Sequence, residues 1–256
     1  MQTQQNALTD FQWQIMEHFL KDNNPKALSL RSVTDAILWI TRTGVQWRNL
    51  DNRFPNWQSV YYYFRKWKNN GTFQLIMRCL SAIDRLINAR EEYPSLLAVD
   101  SQSVKLAPFI NIARGIDGGK KINGRKRSIA VDIEGRFFSV HVGPANQHDG
   151  EAGLELLPDF EEINSRLQLI KADGSYGGLF AESAKIFGWK TDTTQNPPSK
   201  DKGFVPQKCR WQVERSFGWL NFYRRLSKDY ERDPKSEESF IALAYCNMIL
   251  ARFEKY

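Results

Sequence analysis

Hydrophobic positions in the first ninety residues recur with a helical period. Phe11, Ile15 and Phe19 fall four apart after Thr9-Asp10, a pair suited to open a helix. Val33, Ile37 and Ile40 line a second helix, with Ser32 as its expected cap and Gly44 as its stop. Trp57, Val60, Tyr61 and Phe64 form the stripe of a third, and a fourth runs from about Thr72 to Ala89. After Pro94 the period shortens. SLLAVD, RSIAVDI, RFFSVHV and LQLIKAD read as strands, the middle two joined by a hairpin at Glu134-Gly135. LFAESAKIFGW turns helical again, and TTQNPPSKDKGFVPQK reads as a loop. Helices are then expected from about Cys209 to Tyr223 and from about Ser236 to Phe253. The pattern predicts an α/β chain: a helical part over 1–90, then strands followed by helices over 91–256.

Charge sharpens this picture. The formal net charge is +7, and residues 1–90 carry twelve basic against six acidic side chains, so most of the excess lies in the first third. Basic residues interleave there with Trp39, Trp47, Trp57, Tyr61 and Trp67, a texture suited to nucleic-acid binding, with Arg48, Arg65 and Lys66 as candidate contacts. Single aromatics in such a run more often serve the core. At 41% hydrophobic the chain has enough apolar residues for a core. Cys79, Cys209 and Cys246 are scattered without zinc-ligand spacing and suit a reducing compartment. The N-terminal residues lack a signal-peptide pattern, and IALAYCNMIL is too short to span a bilayer. The expected setting is intracellular and soluble, with no membrane partner.

The candidate chemistry lies in three acids. Asp100 and Asp173 each close an apolar strand-like run. If the two strands are neighbours, the carboxylates converge, and close carboxylates repel unless a cation lies between them. Mg²⁺, held by one or two carboxylates with water and phosphate completing its shell, suits such a pair. Either Asp alone reads equally well as a turn or cap residue. Glu214 has Trp211 and Phe217 at i−3 and i+3, so it is expected on the core-facing stripe of its helix, where it needs a cation or an arginine. Arg210, at i−4, offers an ion pair as the alternative to a metal. Between the acids, GKKINGRKR reads as a mobile phosphate-tracking loop carrying Lys120, Lys121, Arg125, Lys126 and Arg127. Arg210, Arg215, Arg224 and Arg225 cluster near Glu214 as further DNA contacts.

These segments together resemble a known family. LLAVDSQSVK, GIDGGKKINGRKRSIAVD, GPANQHDG, KADGSYGG and RWQVERSFGWLNFYRRLSKDYE, in this order, are similar to D-D-E transposases of the insertion-sequence type, in the group numbered five. LTDFQWQIM, SVTDAILWITRTGVQWRNL and FPNWQSVYYYFRKWKNNG resemble that group's helical N-terminal domain. The resemblance implies a ribonuclease-H-like catalytic core with a mixed central sheet flanked by helices. It implies Asp100, Asp173 and Glu214 as the catalytic, metal-binding triad for two Mg²⁺ ions, with Mn²⁺ as a substitute. It also implies binding to the inverted-repeat ends of double-stranded DNA, cleavage that frees 3′-hydroxyls, their transfer to target DNA, and a homodimer. In the family's third motif Arg210 and Glu214 fit, while Gln207 and Asn221 stand where Tyr and Lys are usual. A DNA-binding regulator derived from a transposase, and another ribonuclease-H-fold nuclease, are the rival readings.

Overall fold

The computed structural model describes residues 7–20, 28–193 and 210–253. The expected loop after Thr193, Gln207 and Cys209 lie outside the described residues.

Four helices come first: α1 (Asp10–Leu20), α2 (Leu30–Thr43), α3 (Trp57–Asn69) and α4 (Thr72–Ile87). Ser29 rather than Ser32 caps α2, its side chain accepting from the Ser32 backbone N–H. At the other end Gly44 adopts φ 71° and donates its N–H to the Ile40 carbonyl, the left-handed stop that glycine takes without strain. The buried stripe of α1 is Gln12, Met16 and Leu20, one residue beyond the expected one, and Phe11 faces solvent. Helix α3 buries Val60, Tyr63, Phe64 and Trp67, leaving Tyr61 exposed.

The sheet comprises β1 (Leu96–Lys105), β2 (Gly115–Asp117), β3 (Ile122–Val131), β4 (Phe137–Pro144), β5 (Leu169–Lys171) and β6 (Lys190–Asp192). Strands β1, β3 and β4 run antiparallel; β5 then pairs parallel with β1, and β6 parallel with β5. This is the expected ribonuclease-H-like mixed sheet. Two short strands, β2 and β6, had no counterpart in the pattern reading. Between β4 and β6 lie α5 (Asp149–Leu154), α6 (Leu157–Phe160) and α7 (Leu179–Ile186); α8 (Arg210–Leu220) and α9 (Pro234–Phe253) follow.

Alternation along β1 divides two cores. Ala98, with Ile129, Val131 and Phe137, packs against α1–α4, α8 and α9. Leu97 and Val99, with Ala130, Phe138 and Ile170, pack against the α5–α7 side. The sheet is therefore sandwiched, and the N-terminal helices share one core with its first face. Helix α9 is buried at every position from Ser239 to Cys246, as a helix enclosed on all sides must be. Among the described residues no helix is long and apolar enough to cross a membrane. Of the cysteines, Cys79 and Cys246 are free thiols.

Candidate active site

Strand β1 does not end at Asp100. It continues to Lys105 because β3 pairs with it as far as Gly124, opposite Lys105. The parallel neighbour is shorter: pairing with β5 stops at Ala98, opposite Lys171. Asp100 therefore lies mid-strand where β1 has lost one partner, at a notch in the sheet. Asp173 lies two residues past β5, on backbone that is still extended at ψ 177°. The register that sets Ala98 against Lys171 brings Asp100 and Asp173 to the same level. The two-residue strand period then puts both on the Ala98 face. The Asp173 side chain caps the tight turn Gly174–Tyr176, accepting from the Ser175 N–H at 2.9 Å and from its hydroxyl. Asp100 accepts from the Ser101 N–H at 2.7 Å.

A third aspartate stands close by. Asp149, at the start of α5, accepts from the Ser101 hydroxyl at 2.7 Å and from Lys126 Nζ at 2.5 Å, and its other oxygen lies 3.4 Å from the Ser175 hydroxyl. Burial works against its charge, but the Lys126 ammonium and the Ser101 hydroxyl outweigh burial and hold its carboxyl below the usual range. Tyr176 is fully buried beside these acids. Burial first, and then the charges of Asp100, Asp149 and Asp173, push its phenol well above the ordinary value. Its hydroxyl lies next to the Ser101 side chain yet makes no hydrogen bond of proper geometry. The pattern reading missed Asp149 and Tyr176. The only signal was that HDG and DGSY follow strands.

Helix α5 approaches this turn so closely that glycine is required. A Cβ on Gly153 would lie 2.8 Å from Tyr176 Cε1 and 2.9 Å from Phe180 Cδ2, both buried rings. Gly153→Ala should therefore destabilise the fold by about 1–3 kcal/mol through overpacking. Chemical denaturation reads this directly, and an unchanged midpoint would show that the rings give way freely.

Glu214 departs from expectation. The buried face of α8 is Val213, Ser216, Phe217 and Leu220, while Trp211 is 47% exposed and Glu214 is exposed. Trp211 is thus no marker of the core stripe, and Glu214 sits off it by one helical step. Among the described residues no three His, Cys, Asp or Glu side chains come together closely enough to hold a metal ion. Two carboxylates on one face of a sheet notch still fit a hard divalent cation, since Mg²⁺ takes one or two protein carboxylates and completes its shell with water and phosphate.

The basic candidates separate sharply. Arg125, Lys126 and Arg127 lie on β3 rather than on a mobile loop, and all three are buried. Arg125 pairs with Asp229 at 2.9 Å, Lys126 with Asp149, and Arg127 with Glu237. Arg225 is likewise buried against Glu231 at 2.5 Å. Internal acids neutralise these four charges, so the expectation that they face DNA is corrected. Lys120, Lys121, Arg224, Arg48 and Arg65 are exposed, the last two lying 5.7 and 6.0 Å from the Trp57 and Tyr61 rings. Lys66 is half-buried beside Tyr63. Arg215 is half-buried, stacked between Trp211 and Trp219 at 4.4 and 4.6 Å, and donates to the Glu134 carbonyl. The Arg210 side chain lies outside what is described.

A family described as "Putative transposase of IS4/5 family" matches residues 8–77, and one described as "Transposase DDE domain" matches residues 92–249. Over 119 residues the chain is 27% identical to "Uncharacterized protein y4sN" of Sinorhizobium fredii, covering 45% of this chain and 89% of that protein. Two solved structures are similar at low level. "Crystal structure of a pre-cleavage Mos1 transpososome" is 12% identical with a TM-score of 0.31, covering 92% of this chain and 79% of that one. "Crystal structure of the Mos1 mariner paired end complex with Mn" is 11% identical with a TM-score of 0.28, covering 96% and 85%. Scores of this size bear no weight; the fold rests on the strand order and register above.

Proposed function

Since the chain belongs to the DDE-domain transposases of insertion sequences, we propose that it binds the inverted-repeat ends of such an element, cleaves the DNA there to free 3′-hydroxyls, and joins them to target DNA. The observation that carries this reading is the register of β1 and β5, which sets Asp100 and Asp173 at one level where β1 outruns β5. DDE transposases generally use divalent metal ions. Asp100 and Asp173 would hold Mg²⁺, or Mn²⁺ in its place, and Glu214 would join them from α8. Bound as a pair, such ions would activate the attacking oxygen and stabilise the leaving one. The protein's own part is to present the carboxylates on rigid backbone, and the sheet supplies that at Asp100. Exposed Lys120, Lys121, Arg224, Arg48 and Arg65, with Arg215, Lys66 and Arg210, would engage phosphates, and residues 1–90 would form the end-binding part. Two ends handled together call for two copies of the chain.

The test is a purified-protein cleavage assay on a duplex carrying the terminal inverted repeat. Nicking that needs Mg²⁺ or Mn²⁺ and leaves a 3′-hydroxyl is expected, with end binding that weakens steeply as salt rises. Tight, salt-sensitive end binding with no cleavage in either metal would turn the reading to a DNA-binding regulator. Preferential cutting of an RNA–DNA hybrid would turn it to another nuclease of this fold.

A further inference from the structure

Asp149 lies outside the triad, yet it touches residues beside both of the triad's aspartates. Ser101 directly follows Asp100, and its hydroxyl donates to Asp149 at 2.7 Å. Ser175 lies two residues after Asp173, donates its N–H to that carboxylate, and places its hydroxyl 3.4 Å from Asp149. Lys126, on β3 opposite Ser103 of β1, donates to Asp149 and to the Gln147 carbonyl, both at 2.5 Å. One carboxylate thus links β3, β1, the start of α5 and the turn after β5. Gly150 and Gly153 let α5 close onto that turn: a Cβ on Gly150 would lie 2.9 Å from the Ser175 carbonyl.

We propose that Asp149 is a positioning residue, a clamp that holds β1 at Asp100 and the Asp173 turn at a fixed separation so that the two aspartates are presented together. This rests on the reading of Asp100 and Asp173 as the metal-binding acids. A role as a further metal ligand fits the geometry poorly. Asp149 Oδ1 already accepts from Ser101 and Lys126, and the buried Lys126 ammonium beside it repels a cation. Strand alternation also sends Ser101, the contact of Asp149, to the face opposite Asp100. An independent feature marks the same spot. The Tyr176 hydroxyl is fully buried beside the Ser101 side chain and among Asp100, Asp149 and Asp173, with no hydrogen bond of good geometry, although buried hydroxyls ordinarily have one.

The experiment uses the full chain without DNA, as wild type, Asp100→Asn, Asp149→Ala, Asp149→Asn, Ser101→Ala, and the double variant Ser101→Ala/Asp149→Ala. Mn²⁺ affinity is measured by electron paramagnetic resonance, and hydrogen exchange is followed over residues 98–104 and 172–178. In Asp149→Ala, Mn²⁺ binding should weaken about 10–100-fold, the range for partners that orient metal ligands, and exchange should rise in both segments. Asp149→Asn, which keeps an acceptor but loses the charge, should fall between. Ser101→Ala should reproduce part of the loss, and the double variant should add little to Asp149→Ala, because residues acting as one unit are not additive. Exchange that stays at the wild-type level in both segments would overturn the clamp. So would Mn²⁺ binding lost as completely as in Asp100→Asn, which would make Asp149 a ligand. Should Asp149→Ala fail to fold, Ser101→Ala carries the test. Should wild type bind no Mn²⁺, the metal reading falls, and the exchange data alone decide the clamp.

Discussion

Asp100→Asn and Asp173→Asn should each reduce cleavage of a terminal-repeat duplex by on the order of a thousandfold or more, while end binding stays within a few-fold of wild type. A bound divalent cation contributes several kcal/mol to stabilising charge in the transition state, and each 1.36 kcal/mol is tenfold in rate. Asparagine preserves the shape of the site: at position 100 its carbonyl can still accept the Ser101 N–H, and at 173 the Ser175 N–H. The loss should therefore appear in chemistry and not in folding. Glu214→Gln belongs in the same series. In the free protein that carboxylate faces solvent, so a loss equal to that of the aspartates would mean that α8 brings it to the notch only with DNA or metal bound. The measurement is single-turnover cleavage of pre-bound DNA, with melting temperature as the control. A variant that cleaves near the wild-type rate removes its residue from the site.

Arg125→Ala should cost about 3–5 kcal/mol of stability, the usual penalty for removing one partner of a buried ion pair. At this chain length that is roughly 10 °C in Tm. Arg125 is wholly buried and pairs with an equally buried Asp229. It also donates to the carbonyls of Ile112, Glu231 and Arg232. Truncation would strand that carboxylate and three acceptors together. Lys121→Ala, at an exposed position of the same basic run, should leave stability within about 0.5 kcal/mol and lower the salt sensitivity of DNA binding instead. Thermal unfolding and end-binding titrations at several salt concentrations, run on both variants, separate the two roles. An Arg125→Ala protein with unchanged Tm and weakened DNA binding would return that side chain to the DNA-facing surface.

What local sequence determines here is what depends on neighbours a few residues away. The helical period of Val33, Ile37 and Ile40, the left-handed stop at Gly44 and the hairpin at Glu134-Gly135 are legible because each is built from short-range geometry. The placing of Asp100 and Asp173 after buried runs is legible for the same reason. It follows that one acid lies in a sheet and the other just beyond one, while their level and face depend on the pairing of β1 with β5.

Only the tertiary structure decided what distant partners do to a side chain. A run of five basic residues reads as one charge patch, yet Lys120 and Lys121 stay in water while Arg125, Lys126 and Arg127 face Asp229, Asp149 and Glu237, acids 23 to 110 residues away. Burial of a charge depends on whether a partner arrives, and spacing along the chain carries no record of that. Glu214 missed the core stripe because Trp211, though apolar, stacks on Arg215 at the surface and stays 47% exposed. The three-residue strands β2 and β6 are too short for alternation to reveal and exist only because β3 and β5 offer them an edge. Asp149 joins the site through two serines and a lysine brought together from three separate segments, a coincidence of position that only the folded sheet creates.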